Sequence, residues 1–257
     1  MKFFSKRIFT FITRLCRLIS YLIINPKLSL TVIEIITKYL LSTFVINRLI
    51  GKKFSIQKND FAHFCSKELD FDYRDLFSNN IPSWLYLFEK FSFKNKKLEF
   101  LEIGSFEGRS SHFILSNLEK VHLTCVDTFK PFHELQENDE EKFEKIFSNF
   151  KKNIAKYSDR VEIVKAKSSL FFNKNSKKYD LIYLDGSHEF EDVRDDANEA
   201  FKILENNGII IFDDFLWQYN QPLKKSITYA IIDFINTNKY DLEIFYVNYQ
   251  LIIKKIH

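Results

Sequence analysis

From residue 97 onward, short apolar runs alternate with amphipathic stretches, and nothing else in the chain constrains its fold as strongly. The runs "LEFLEIG", "VHLTCVD", "RVEIVKA", "YDLIYLD" and "IIIF" read as strands. Between them, "SSHFILSNLEK" reads as a helix capped by Ser110, and a charged helix is expected over about 137–156. A third helix carries Phe190, Val193, Ala197, Ala200, Phe201 and Leu204 at helical spacing, and Asn207-Gly208 is expected to stop it. Strands apolar along their whole length, each followed by an amphipathic helix, belong in a parallel sheet covered on both faces. The tail, "YDLEIFYVNYQLIIKK", reads as two strands turning at Asn248, so tightly joined that they must be antiparallel. The expected fold class is α/β: a doubly wound, Rossmann-like sheet of seven mostly parallel strands with a C-terminal antiparallel hairpin.

The front of the chain has a different character. Residues 1–53 hold ten Lys or Arg and one acid, Glu34, a net charge of +9; the whole chain is +4, so the remainder is 4 − 9 = −5. Basic residues confined to an apolar leader do not suit nucleic acid, and no nucleic-acid partner is expected. Arg14 and Arg17 interrupt the first apolar stretch, which leaves it short of a bilayer span, and no small-residue cleavage site follows. "LSLTVIEIITKYLLSTFVINRLIG" is a second helix. The two suit an anionic membrane surface, a lid packed on the main domain or on a second copy of the chain, or a true membrane anchor. The expected organisation is a basic helical extension over 1–55, a helical lead-in over 56–96 whose helix begins at Ile81-Pro82-Ser83, and a core over 97–257. Three scattered cysteines without a CxxC exclude a disulfide frame and a cysteine zinc site. They fit a cytoplasmic protein, peripheral at the inner face of the membrane if the leader binds lipid.

In a doubly wound sheet, ligands sit beyond the carboxyl ends of the strands. The first such end is "EIGSFEGRSS", where Gly104 lets the backbone turn and approach a ligand closely. The spacing of Gly104 and Gly108 is neither GxGxxG nor a phosphate-binding P-loop. Asp127 ends the next strand, 23 positions after Gly104, where a carboxylate can accept both hydroxyls of a ribose. That combination suits a nucleoside without a pyrophosphate; a plain tight turn is the bland alternative.

These residues resemble a known family. "FLEIGSFEGRSS", "VDTF", "YLDGSHEFEDVRDDA", "NNGIIIFDDFLW" and "NYQLIIKK", with "NIPSW" upstream, look like class I S-adenosylmethionine-dependent methyltransferases of the small-molecule branch that includes macrolide-sugar O-methyltransferases. The likeness is collinear over about 78–257. It implies that Glu102 and Gly104 contact the methionine end of S-adenosylmethionine, with Ser105, Gly108 and Asp185 in the same cofactor site. It further implies Asp127 on the ribose and Ser168 or Ser169 near the adenine.

Asp185, Asp213 and Asp214 end two strands that should be neighbours. Carboxylates that close repel unless a cation or a proton joins them, and an all-oxygen set suits Mg²⁺. In the sugar-methylating relatives, matching acids bind magnesium and the match of His188 is the base. Methyl transfer from a sulfonium needs an activated alcohol and no general acid, so a base beside a metal makes chemical sense. Weighed against this, Asp185 could cap the following helix. Asp213-Asp214 could be a strand-ending turn, and His188 a bystander. His112, His122 and His133 read as surface or packing residues, and Trp217 and Tyr219 as walls of an acceptor pocket or rim packing. The leading expectation is methylation of a small-molecule hydroxyl, a sugar or glycolipid among the candidates. The competing ones are a membrane-surface module with a silent methyltransferase-like domain, and an oxidoreductase or hydroxylase. Against the last, the chain lacks GxGxxG and any defensible 2-His-1-carboxylate spacing.

Overall fold

The computed structural model describes residues 2–130, 140–217 and 222–257. In chain order the helices are α1 (Lys2–Ile24), α2 (Ser29–Leu41), α3 (Asn47–Lys53), α4 (Ser55–Glu68), α5 (Ile81–Lys90), α6 (Arg109–Asn117), α7 (Glu140–Ile154), α8 (Ser168–Lys174), α9 (Phe190–Ile203) and α10 (Ile227–Thr237). The strands are β1 (Leu98–Ile103), β2 (Val121–Asp127), β3 (Val161–Lys165), β4 (Tyr179–Leu184), β5 (Leu204–Phe212), β6 (Leu242–Val247) and β7 (Leu251–Lys255). The strand order is 3-2-1-4-5-7-6. This is the expected seven-stranded α/β sheet.

Two compact units divide the chain: residues 46–186, and residues 1–45 with 187–257. The helical extension is thereby divided, and its first two helices belong with the C-terminal strands.

In the 46–186 unit every pairing is parallel: Phe100 faces Leu123 on one side and Leu181 on the other, and Leu123 faces Val161. The inner strands β1, β2 and β4 are almost wholly buried, whereas β3, at the edge, exposes Glu162 and Lys165. Order 2-1-4 reverses the direction of winding at β1, so the carboxyl ends of β1 and β4 form the topological switch where such folds open a crevice. The lead-in is welded to this unit. Trp84 of α5 is fully buried, edge-on to Tyr183 at 4.9 Å and stacked on Phe100 at 6.1 Å, with Phe77 and Phe113 against it. Burying each ring contributes about 2–3 kcal/mol. Pro82 sits in the first turn of α5, where its missing N–H costs nothing.

In the other unit, β7 pairs antiparallel with both β5 and β6, Ile210 facing Ile253 and Leu242 facing Lys255, with an irregularity between Ile244 and Tyr246. Helices α1 and α2 form a hairpin on α10 and β6. Tyr21 and Ser226 share a hydroxyl hydrogen bond of 2.7 Å, Thr31 Oγ1 donates to Asn236 Oδ1 at 3.0 Å, and the Val247 N–H donates to Ser42 Oγ at 3.4 Å.

Two local expectations are corrected and one alternative is set aside. Helix α9 ends at Ile203, and Asn207, at φ 64°, lies inside β5, so Asn207-Gly208 bends a strand and stops no helix. Gly108, at φ 83°, precedes α6, while Ser110 lies within the helix with its hydroxyl turned to Glu102. Asp185 does not cap α9, which starts at Phe190 after Glu189.

Candidate active site

The 46–186 unit builds a loop whose shape is set by backbone packing. Gly104 leaves β1 at φ 92°, and a Cβ there would lie 2.0 Å from the Asp185 carbonyl oxygen. Its immediate reason for being glycine is therefore the close passage of β4. The Asp185 N–H donates to Ile103 O at 2.8 Å and the Gly104 N–H to Val126 O at 2.9 Å, which locks three strand ends together. Gly108 is in turn pressed by Phe150, whose ring would lie 3.0 Å from an added Cβ.

Asp127 fastens the loop. Its Oδ2 accepts the Phe106 N–H at 2.7 Å and its Oδ1 accepts the Phe129 N–H at 2.6 Å. Both phenylalanines are left-handed, at φ 47° and 54°. Each such residue costs of order 1–2 kcal/mol, and a hydrogen bond to a charged acceptor, worth about 1.5–3 kcal/mol, offsets it. Asp127 is half-buried, and burial pushes its carboxyl above the usual range while the backbone donors pull the other way. A carboxylate oxygen has a second lone pair, so this side chain can still take hydroxyls, as the ribose of S-adenosylmethionine requires. The donor set fits that cofactor.

Glu102 is fully buried, and its oxygens accept from the hydroxyls of Ser110, at 2.5 Å, and Ser111. Burial raises its pKa, against the pull of those hydroxyls. What these contacts do is brace α6 against β1. Ser105 is buried in the same loop. Ser168 and Ser169 open α8, just past β3. Asp185 accepts the Tyr183 hydroxyl at 2.9 Å.

One residue that sequence reasoning missed is Glu107. It is buried between Gly104 and Gly108 and accepts from the Asp72 and Tyr73 amides at 2.9 and 3.1 Å and from Asn149 Nδ2 at 2.9 Å. Tyr73 packs edge-on to Phe106 at 4.9 Å, so the lead-in loop becomes a wall of the cofactor loop. An acid inside a glycine loop was the one available sign. His112 is a packing residue: it is buried, its Nδ1 lies 2.8 Å from Asn153 O, and burial lowers its pKa. His122 lies 3.3 Å from Glu99, in the half-exposed range. His133 and Tyr219 lie outside the described residues.

The other unit contributes side-chain pairs. His188 Nε2 is 2.7 Å from Asp214 Oδ2, the two side chains 20% and 18% exposed. Trp217 stands beside the imidazole, its ring 5.1 Å away. Asp214 is left-handed at φ 52°, and its carbonyl accepts the Trp217 N–H at 2.9 Å, closing the turn that presents both residues. Asp213 points elsewhere. Its Oδ1 accepts the Asp214 N–H at 2.7 Å and its Oδ2 accepts from the buried Gln250 Nε2 at 3.0 Å. The two consecutive acids thus part: Asp214 meets the imidazole and Asp213 ties the turn to Gln250, just before β7. The Asp213 carboxylate already has two partners, the Asp214 amide and Gln250.

A doubly wound sheet of this order, with an acid ending β2 beside a glycine turn after β1, defines the class I methyltransferase fold. Residues 101–215 match the family described as "Methyltransferase domain". A curated relative, "Uncharacterized protein R132" of Acanthamoeba polyphaga mimivirus, is 25% identical over 158 residues, 58% of this chain; the match spans 66% of that relative's length. Among solved structures, the chain resembles a Staphylococcus aureus protein provisionally assigned as a caffeoyl-CoA O-methyltransferase, with a TM-score of 0.51, 17% identity, and 83% of this chain and 100% of that one covered. It also resembles MycE of the mycinamycin biosynthetic pathway in complex with Mg, SAH and mycinamycin VI, with a TM-score of 0.54, 13% identity, and 77% and 55% coverage. At these identities the structures speak for the fold.

Proposed function

We propose that this protein transfers the methyl group of S-adenosylmethionine to a hydroxyl of a small molecule, with His188 as the base. The observation that carries the reading is the His188–Asp214 pair, an imidazole held 2.7 Å from a carboxylate at the mouth of the sheet. A carboxylate orients an imidazole and stabilises the imidazolium it becomes, which is what a base needs from its neighbour. In the step proposed, the acceptor oxygen forms a bond to the methyl carbon as the carbon–sulfur bond breaks. The electron pair stays on sulfur, which leaves as a neutral thioether, and the hydroxyl proton passes to His188. Trp217 would form one side of the acceptor site, and a sugar or glycolipid hydroxyl is the acceptor class we favour.

Asp214 would help to hold a divalent ion, which when bound would lower the pKa of the acceptor hydroxyl. We assign Asp213 a positioning part, through its bonds to Gln250 and the Asp214 amide.

The test is calorimetry with S-adenosylmethionine and S-adenosylhomocysteine, followed by incubation with methyl-labelled donor and a panel of hydroxylated small molecules. Binding of both nucleosides and label recovered in an ether linkage are expected. Absence of heat with either nucleoside would remove the reading. Activity unchanged by a chelator would remove the metal and leave the transfer.

A further inference from the structure

The methyl-transfer chemistry leaves the α1–α2 hairpin without a role. Its inner side is a conventional core: Leu18, Tyr21, Val32 and Ile35 are fully buried, and the hydroxyls of Tyr21 and Thr31 bond to Ser226 and Asn236. The outer side is also apolar. On α1, Ile8, Ile12, Ile19 and Ile23 are exposed at spacings of four, seven and four, one continuous helical stripe, with Ile23 77% accessible. On α2, Leu30, Ile33 and Leu41 are exposed, Leu30 at 74%. Water-facing positions of a globular helix ordinarily carry polar residues, and a contiguous apolar face marks something that covers it.

The charge of the segment identifies the cover. Residues 1–45, which hold the hairpin, carry seven Lys or Arg and one acid, a net charge of +6 that suits an anionic surface, and Lys27 stands exposed in the turn between the two helices. A second copy of the chain is disfavoured, because a self-complementary contact through this face would set one +6 segment against another. We propose that the outer face of the α1–α2 hairpin docks on an anionic lipid bilayer, the helices lying in the headgroup region. The stretch Pro26–Lys53 is long and apolar enough to cross a membrane by length and composition. Crossing would break the Thr31–Asn236 and Ser42–Val247 bonds and strip Val32, Ile35 and Tyr39 from their core, whereas lying flat keeps all of them. The proposal stands apart from the methyl-transfer chemistry.

The test uses the full-length protein and sedimentation with vesicles, either phosphatidylcholine alone or with about one third phosphatidylglycerol. The protein should pellet with the anionic vesicles and at least about tenfold less with the neutral ones, and added salt should release it. The triple variant Ile12→Gln, Ile23→Gln, Ile33→Gln keeps the charge and removes the stripe. It should lose about tenfold or more of the partition with a Tm within about 2 °C of the parent, since all three positions are exposed. Failure of the parent protein to pellet with anionic vesicles would overturn the proposal. So would equal pelleting of the triple variant, or a lipid-free dimer of the parent that the variant makes monomeric.

Discussion

The two compact units hold their functional groups in different ways. In residues 46–186 the loop after β1 is dictated by main-chain geometry: a glycine pressed on a carbonyl, two left-handed phenylalanines fastened by one carboxylate, and a buried glutamate gripping two amides. In residues 187–257 the groups are side chains meeting side chains, the part-buried His188 with Asp214 and the buried Asp213 with Gln250. Backbone packed this closely tolerates little change, whereas side-chain pairs can be exchanged without refolding the chain.

Substitutions can break that contrast. The largest effect is expected for Gly104→Ala, where the new methyl would overlap the Asp185 carbonyl at a φ that disfavours any side chain. A loss on the order of 4 kcal/mol, roughly 10 °C in Tm, should accompany loss of nucleoside binding, measurable by thermal melting and calorimetry. His188→Ala should behave in the opposite way: transfer slowed about 10²–10⁴-fold, Tm moved by no more than about 2 °C, and S-adenosylmethionine affinity within about threefold of the parent. A destabilised His188→Ala protein would show that the pair is structural and erase the contrast.

The smallest effect concerns pH. Burial raises the folded-state pKa of Glu102, so the native protein binds this proton more tightly than the unfolded chain. Stability from this group is therefore greatest in acid and falls as pH rises from the ordinary carboxylate range toward the raised value. Glu102→Gln should flatten the decline in Tm between pH 5 and pH 8 by about 2–4 °C. Part of the slope should survive, because Asp127 is shifted in the same direction.

Most of the framework was readable because it is periodic. Apolar runs of strand length, helices between them and a tight terminal turn announce a doubly wound sheet with an antiparallel end, and Asp127 lies where the end of β2 should place it. What escaped was carried by distant pairs. Glu107 reaches back 35 positions to Asp72, and Gln250 reaches back 37 to Asp213. No local pattern records such partners, so nothing in "FDDF" says that one aspartate turns to a histidine and the other to a glutamine. Asn207-Gly208 misled for a related reason: the dipeptide signals a left-handed bend, and a strand can use that bend as readily as a helix end.

The clasp made by Asp127 has a further consequence. Because one side chain secures the backbone at both 106 and 129, those two turns cannot relax independently. Whatever draws on the carboxylate pulls on both turns at once, so they respond as a single latch rather than as two separate flaps.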